Sequence, residues 1–311
     1  MAIVTQSLLD FAIPDVRQVL TPRDAAFYAL SVGAGQDPMD RAELAFVDPD
    51  RGPLLLPSIV VVLCHPNFWL ADPATGVDAG YVVHGEQGFR IHHPPPLGTP
   101  ILGHTRVTGV VDKGPGRGAL IYTEKQLIDE ATGTVFATTT ATIFARADGG
   151  FSGPSGRVSP AYVMPAHVMP AHVMPAHVMP ATDPVFTVDR ATRPEQALYY
   201  RLNGDMNPLH ADPAAAARAG FPRPILHGLC TLGAVSAALV QQLCRGDPAR
   251  LLGLDLRFSS PVFPGETIRV EMWPDGSFRA RVEERDVIVV NNGLAIVEEC
   301  GVSPGPSMSG V

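Results

Sequence analysis

The sequence predicts an α+β fold built twice within one chain, each copy an antiparallel sheet curled over a central helix. Three observations carry this: a residue pattern that recurs at a fixed offset, a proline-led apolar segment opening each copy, and successive strand-forming runs separated by tight turns. The stretch Arg90-Ile91-x-x-Pro94-x-x-x-Gly98-x-x-Ile101 returns 167 residues later as Arg257-Phe258-x-x-Pro261-x-x-x-Gly265-x-x-Ile268. At the same offset Pro57 matches Pro224, and each proline stands 33 residues before its arginine.

In the first copy the apolar run from Ile59 to Cys64 reads as the helical segment that Pro57 opens. Strands rich in Val, Ile, Thr, Phe and Tyr follow at 81–92, 101–112, 119–129 and 135–146. Asp112-Lys113-Gly114 and Ala131-Thr132-Gly133 supply turns between them. Residues 147–181 are a Gly-rich approach and then PAYVM with three copies of PAHVM. A proline at every fifth position holds neither a helix nor a central strand, so this tract predicts an extended linker. It divides the chain into 1–146, 147–181 and 182–311. Local copying explains the recurrence of His167, His172 and His177, which receive no role.

In the second copy a short helix is capped by Asp212, with Pro213 at its first position and Gly220 closing it. Residues 224–244 then run for twenty-one positions without a formal charge. His227, Gly228, Gly233, Ser236 and the Gln241–Gln242 pair within this run make it a buried helix, not a membrane span. Strands are expected at 253–260, 267–273, 278–284 and 287–299, with turns at Pro274-Asp275-Gly276 and Asn291-Asn292-Gly293.

The 311 residues carry a net charge of −8, which leaves no overall basic surface for nucleic acid. Only 17% are charged and 46% are apolar, which excludes a disordered chain. Arginine dominates the cations so heavily that the two lysines, Lys113 and Lys125, stand out. Cys64, Cys230, Cys244 and Cys300 lack metal or disulfide spacing and read as reduced thiols of a cytoplasmic protein. The N-terminal stretch lacks a basic n-region and the C-terminal residues lack a peroxisomal or prenylation signal, which agrees with that compartment.

Only the second copy carries a dense polar cluster, Tyr200-Arg201-Leu202-Asn203-Gly204-Asp205-Met206-Asn207-Pro208-Leu209-His210. The matching region near Tyr28 keeps a Tyr-x-Leu but neither the Asp nor the His. Gly204 and the Asn207-Pro208 step break any regular helix there, so Asp205 and His210 can converge on one point and exchange protons with a bound water. On these residues alone, a turn-capping aspartate and a core histidine explain the pair as well. Gly228, at the start of the buried helix, either presents its N–H to a carbonyl oxygen that becomes negative or simply permits close packing.

The stretch YRLNGDMNPLHADPAAAARAGFPRPILHGL resembles the signature motif of the MaoC-like (R)-specific 2-enoyl-CoA hydratases, the hydratase 2 family. YALSVGAG, HGEQ, DKG and RFSSPVFPGET also look like their family counterparts, so the resemblance covers nearly the whole chain outside the linker. It implies a double hotdog fold and reversible addition of water to a trans-2-enoyl-CoA, with no metal or redox cofactor and a homodimeric assembly. It further implies that Asp205 and His210 are the acid–base pair, that Asn207 orients them and that the Gly228 N–H polarises the thioester carbonyl. Counterparts of His84, Gly85, Lys113, Met206, Pro208, Leu209 and Phe258 would meet acyl-CoA. Asp48 and Arg257 are weaker correspondences. Residues 60–64 and 66–70 would shape the acyl tunnel. Two other functions fit the same motif: a dehydratase of carrier-protein-bound 3-hydroxyacyl thioesters, and a non-catalytic acyl-thioester-binding subunit.

Overall fold

A computed structural model of the chain describes residues 3–152 and 177–298. The elements run α1 (Thr5–Leu9), β1 (Val16–Val19), α2 (Pro22–Ser31), α3 (Arg41–Leu44), β2 (Val82–Ile91), β3 (Pro100–Asp112), β4 (Ala119–Asp129) and β5 (Thr134–Ala145). The second half repeats the plan with β6 (Phe186–Ala191), α4 (Gln196–Tyr200), α5 (Pro213–Arg218), α6 (Gly228–Gln242), β7 (Leu251–Phe258), β8 (Thr267–Met272), β9 (Ser277–Val282) and β10 (Val287–Val297). All eight expected strands form, most within two residues of their expected ends. The linker repeats fall mostly outside the described residues, as does Cys300. At the near edge of the linker, His177 meets the Ser277 hydroxyl across 2.7 Å.

The strands form one continuous ten-stranded antiparallel sheet in the order β1-β3-β4-β5-β2-β7-β10-β9-β8-β6. This corrects the expectation of two separate sheets, because β2 and β7 pair directly and close the seam. The order reads the same from both edges, and the seam obeys the sequence offset. Glu86 pairs with Arg257 and Arg90 with Gly253, two pairs that exchange when each residue is moved by 167 positions, with Gly88 opposite Asp255 at the centre. The seam is thus the self-complementary interface of a two-fold dimer, formed within one chain. Arg90 anchors it on one side, donating both terminal nitrogens to the Asp255 carboxylate.

The two copies differ in what the sheet encloses. In the second, α6 is fifteen residues long and almost wholly buried, as a run apolar on nearly every face requires. In the first, Pro57 opens only a five-residue 3-10 turn, Pro57–Val61, which corrects the expected helix. Cys64 and Asn67 take left-handed backbone conformations just beyond it and turn the chain away. One core spans both copies, from Phe89, Ile101 and Leu127 through α6 to Val270, Phe278 and Val290. Two short edge strands, β1 and β6, were not expected. Each has four to six residues and an alternating but largely exposed pattern. No helix among the described residues is long and apolar enough to cross a membrane.

Candidate active site

The polar cluster of the second copy forms an irregular connection from α4 to α5. Gly204 takes a φ of +124°, a conformation that L side chains rarely adopt, and reverses the chain against His65. The Asp205 carboxylate then accepts the Asn207 N–H at 3.1 Å, and the Asn207 side-chain oxygen accepts the Leu209 N–H at 3.0 Å. Two successive side-chain caps thereby fix a 3-10 turn, Pro208–His210, that ends on the histidine. Asp212 caps α5 immediately afterwards, as expected.

These turns bring Asp205 and His210 together. A carboxylate oxygen of Asp205 and one nitrogen each of His210 and His227 lie within 4.8 Å of one another. His227 had received no role from the sequence. Its ring stacks on that of His210, centroids 3.7 Å apart, and the Tyr200 ring supports it from 4.9 Å. The only sequence signal for it is its place directly before Gly228. The three groups could also hold a metal ion between them.

Hydrogen bonding sets the tautomers. His210 Nδ1 lies 2.9 Å from the Ile225 carbonyl oxygen, which can only accept, so Nδ1 carries the proton and Nε2 keeps its lone pair. By the same argument His227 Nε2 donates to the Asp205 carbonyl oxygen at 3.2 Å. Burial opposes protonation of both rings. It holds His210 below the ordinary histidine value despite the opposing charge of Asp205, and with the stacked His210 it pushes His227 down to about 3. Burial alone would raise the Asp205 carboxyl. The adjoining His227 and His210, with the Asn207 N–H, outweigh it and hold the group below its ordinary value.

The cluster opens onto a groove of about 820 Å³ between the copies. Of the expected binding residues, His84, Met206, Pro208, Leu209 and Phe258 line it together with Asp205, Asn207, His210 and Gly228. Of the two segments expected to shape an acyl tunnel, all of 66–70 lines this groove but only Val61 of 60–64 does. His84 meets Phe258 edge-on at 5.2 Å, and the Phe258 ring also covers Gly228, where an added Cβ would come within 3.2 Å of it. Gly228 is the first residue of α6, so its N–H has no intrahelical partner and points from the positive helix end.

Four expected residues do not line the groove. Gly85 faces the Thr142 backbone, Asp48 caps the 3-10 turn Pro49–Arg51, and Arg257 is exposed on the seam opposite Glu86. Lys113 lies in the β3–β4 turn with its ammonium 4.9 Å from the centre of the Phe144 ring. The other lysine, Lys125, is the one inside the groove.

The double hotdog fold is the fold of the MaoC-like dehydratases. A family model described as a MaoC-like domain matches residues 176–295, and one described as the multifunctional enzyme type 2 hydratase 2 N-terminal domain matches residues 19–147. The peroxisomal enoyl-CoA hydratase 2 of Arabidopsis thaliana is 37% identical over 91% of this chain and 92% of its own. The 3-hydroxyacyl-thioester dehydratase Y of Mycobacterium tuberculosis is 38% identical over 81% of each. The crystal structure of a MaoC-like dehydratase from Phytophthora capsici superposes with a TM-score of 0.76 at 33% identity, covering 95% of this chain and 99% of the other. The chain belongs to the MaoC-like enoyl-CoA hydratase 2 family.

Proposed function

We propose that the protein catalyses the reversible addition of water to a trans-2-enoyl-CoA, giving an (R)-3-hydroxyacyl-CoA, with Asp205 and His210 as the acid–base pair. The observation that carries this is the convergence of the ionised Asp205 and the neutral His210 on one groove that also receives the unpaired Gly228 N–H. His210 Nε2 takes a proton from a water that Asp205 orients, and the water oxygen bonds to C3. The C2–C3 π electrons move toward the thioester, building negative charge on its oxygen, which accepts the Gly228 N–H. The enolate then takes a proton at C2 from the dyad, so one water is added in total and no electrons are gained or lost. One such N–H contributes ~3 kcal/mol to the transition state and a positioned acid–base pair ~10²–10⁴-fold in rate, so the chemistry requires no cofactor.

The N-terminal copy, without the dyad, supplies the acyl wall, and the C-terminal copy supplies the chemistry. The 3-hydroxyacyl-thioester dehydratase named in Mycobacterium tuberculosis supports the reverse direction, and a carrier-protein thioester is the competing substrate. Turnover of matched CoA and carrier-protein thioesters decides between them, and a chain inactive on both is a binding subunit instead. Three buried free thiols, Cys64, Cys230 and Cys244, support a reducing, cytoplasmic setting. A homodimer is the assembly expected of the family, and sedimentation in solution tests it.

A further inference from the structure

The concave face of the sheet differs sharply between the copies. In the second, it is apolar and packs on α6. At the 167-residue offset Thr105 corresponds to Met272, whose cross-strand partner is Phe278, and both are fully buried. In the first copy, where a 3-10 turn replaces the helix, the same positions are polar. Thr105, Lys125 and Thr139 stand side by side across β3, β4 and β5 in direct register. Thr123 and Gln87 occupy the adjacent row with Ala141 between them. All five are buried, and all five line the groove that holds Asp205 and His210.

Lys125 is the centre of this patch. Its ammonium donates to the Val61 carbonyl oxygen at 3.2 Å and to that of Leu63, which leaves a third N–H unused. No carboxylate pairs with it among the described residues, and the hydroxyls of Thr105, Thr123 and Thr139 make no hydrogen bond there either. A saturated acyl tail filling the groove would strip water from a cation without a counter-ion and from three hydroxyls without protein partners, and would leave every one of them unsatisfied. Burial pushes Lys125 down to about 8, so it stays protonated at neutral pH while being poorly solvated. His65 feels the charges of both Lys125 and Asp205, and Lys125 and the dyad line the same groove.

We propose that the groove selects acyl thioesters bearing a carboxylate at the far end of the acyl group, with Lys125 as the anion anchor and the Thr105, Thr123 and Thr139 hydroxyls as donors around it. This rests on the groove's being the hydratase site and adds the substrate class, dicarboxylic thioesters. The test is titration calorimetry of the full chain with unreactive saturated thioesters of matched length: adipoyl-CoA against hexanoyl-CoA and suberoyl-CoA against octanoyl-CoA. A charge-assisted contact predicts ~10–100-fold tighter binding of the carboxylate member in at least one pair. Lys125→Met should abolish that preference and Lys125→Arg retain part of it, while Thr123→Val should reduce it should the lysine variants not fold.

Equal affinities within both pairs for the wild type, or a preference that survives Lys125→Met, overturn the proposal. A terminal hydroxyl binding as tightly as the carboxylate overturns the anion assignment. Binding preference without hydration of any enoyl thioester sinks the hydratase reading alone, so the two failures are distinguishable.

Discussion

His210 and His227 show how much of the chemistry is decided by which nitrogen is already occupied. Carbonyl acceptors take the protons of His210 Nδ1 and His227 Nε2, which leaves lone pairs on His210 Nε2 and His227 Nδ1, and of the two residues His210 is the one that lines the groove, so its Nε2 is the base. Because burial holds His210 below the ordinary histidine value of 6.5, hydration should persist as pH falls through 6.5 and decline only beneath it. An acid limb of kcat/KM centred at or above that value would contradict this assignment. The three-ligand cluster makes a second prediction: exhaustive chelation should leave activity unchanged, because the water is activated by the dyad. Asp205, Asn207, His210 and Gly228 were legible as a motif. His227 was not, because a lone histidine before a buried helix carries no spacing signal. Lys113 and Lys125 were equally conspicuous in the sequence, and only the strand register of β4 turns Lys125 inward.

At the scale of elements, α6 is held close to α2 by Gly233. A Cβ there would fall 2.4 Å from Val32 Cγ1 and 3.0 Å from the Tyr28 hydroxyl, too near for the packed helices to absorb without shifting. Gly233→Ala should therefore lower stability by about 1–3 kcal/mol, read as a lower midpoint in denaturant at unchanged m-value. The eight expected strands were readable because Val, Ile and Thr alternation and turn glycines mark them. The edge strands β1 and β6 were missed because they are short and carry polar residues on both faces: Arg17 and Asp189 are exposed, while Gln18 accepts the Cys64 N–H and Arg190 pairs with Glu43 on the inner side. The first copy's helix was over-read for a related reason. Six apolar residues after Pro57 match either a helix start or a buried 3-10 turn, and periodicity cannot separate the two over so short a run.

Across the whole molecule, the duplication seen at a fixed offset in the sequence becomes a palindromic sheet sharing one core. The separation of the sheet into two was the inference that failed, since a seam between β2 and β7 depends on long-range pairing that no local pattern reveals. A continuous sheet and core predict one cooperative unfolding transition, and two resolved calorimetric transitions would contradict it. Acid should destabilise this fold early. His65, pushed by burial down to about 4, and His227, at about 3, stay neutral when folded, whereas the unfolded chain takes up those protons near 6.5. The unfolded state then binds more protons, so stability falls as pH drops from about 6.5 toward about 3. Denaturant midpoints that stay constant across that window would refute the neutral, buried state of the two rings.

The central claim is that Asp205 and His210 together add water to an enoyl thioester. Its most direct measurement follows the loss of the enoyl-thioester absorbance of crotonyl-CoA and longer homologues with the wild type, Asp205→Asn and His210→Ala. The account predicts turnover by the wild type and a loss of about 10²-fold or more in kcat for each variant at unchanged fold. Full activity in both variants would contradict it.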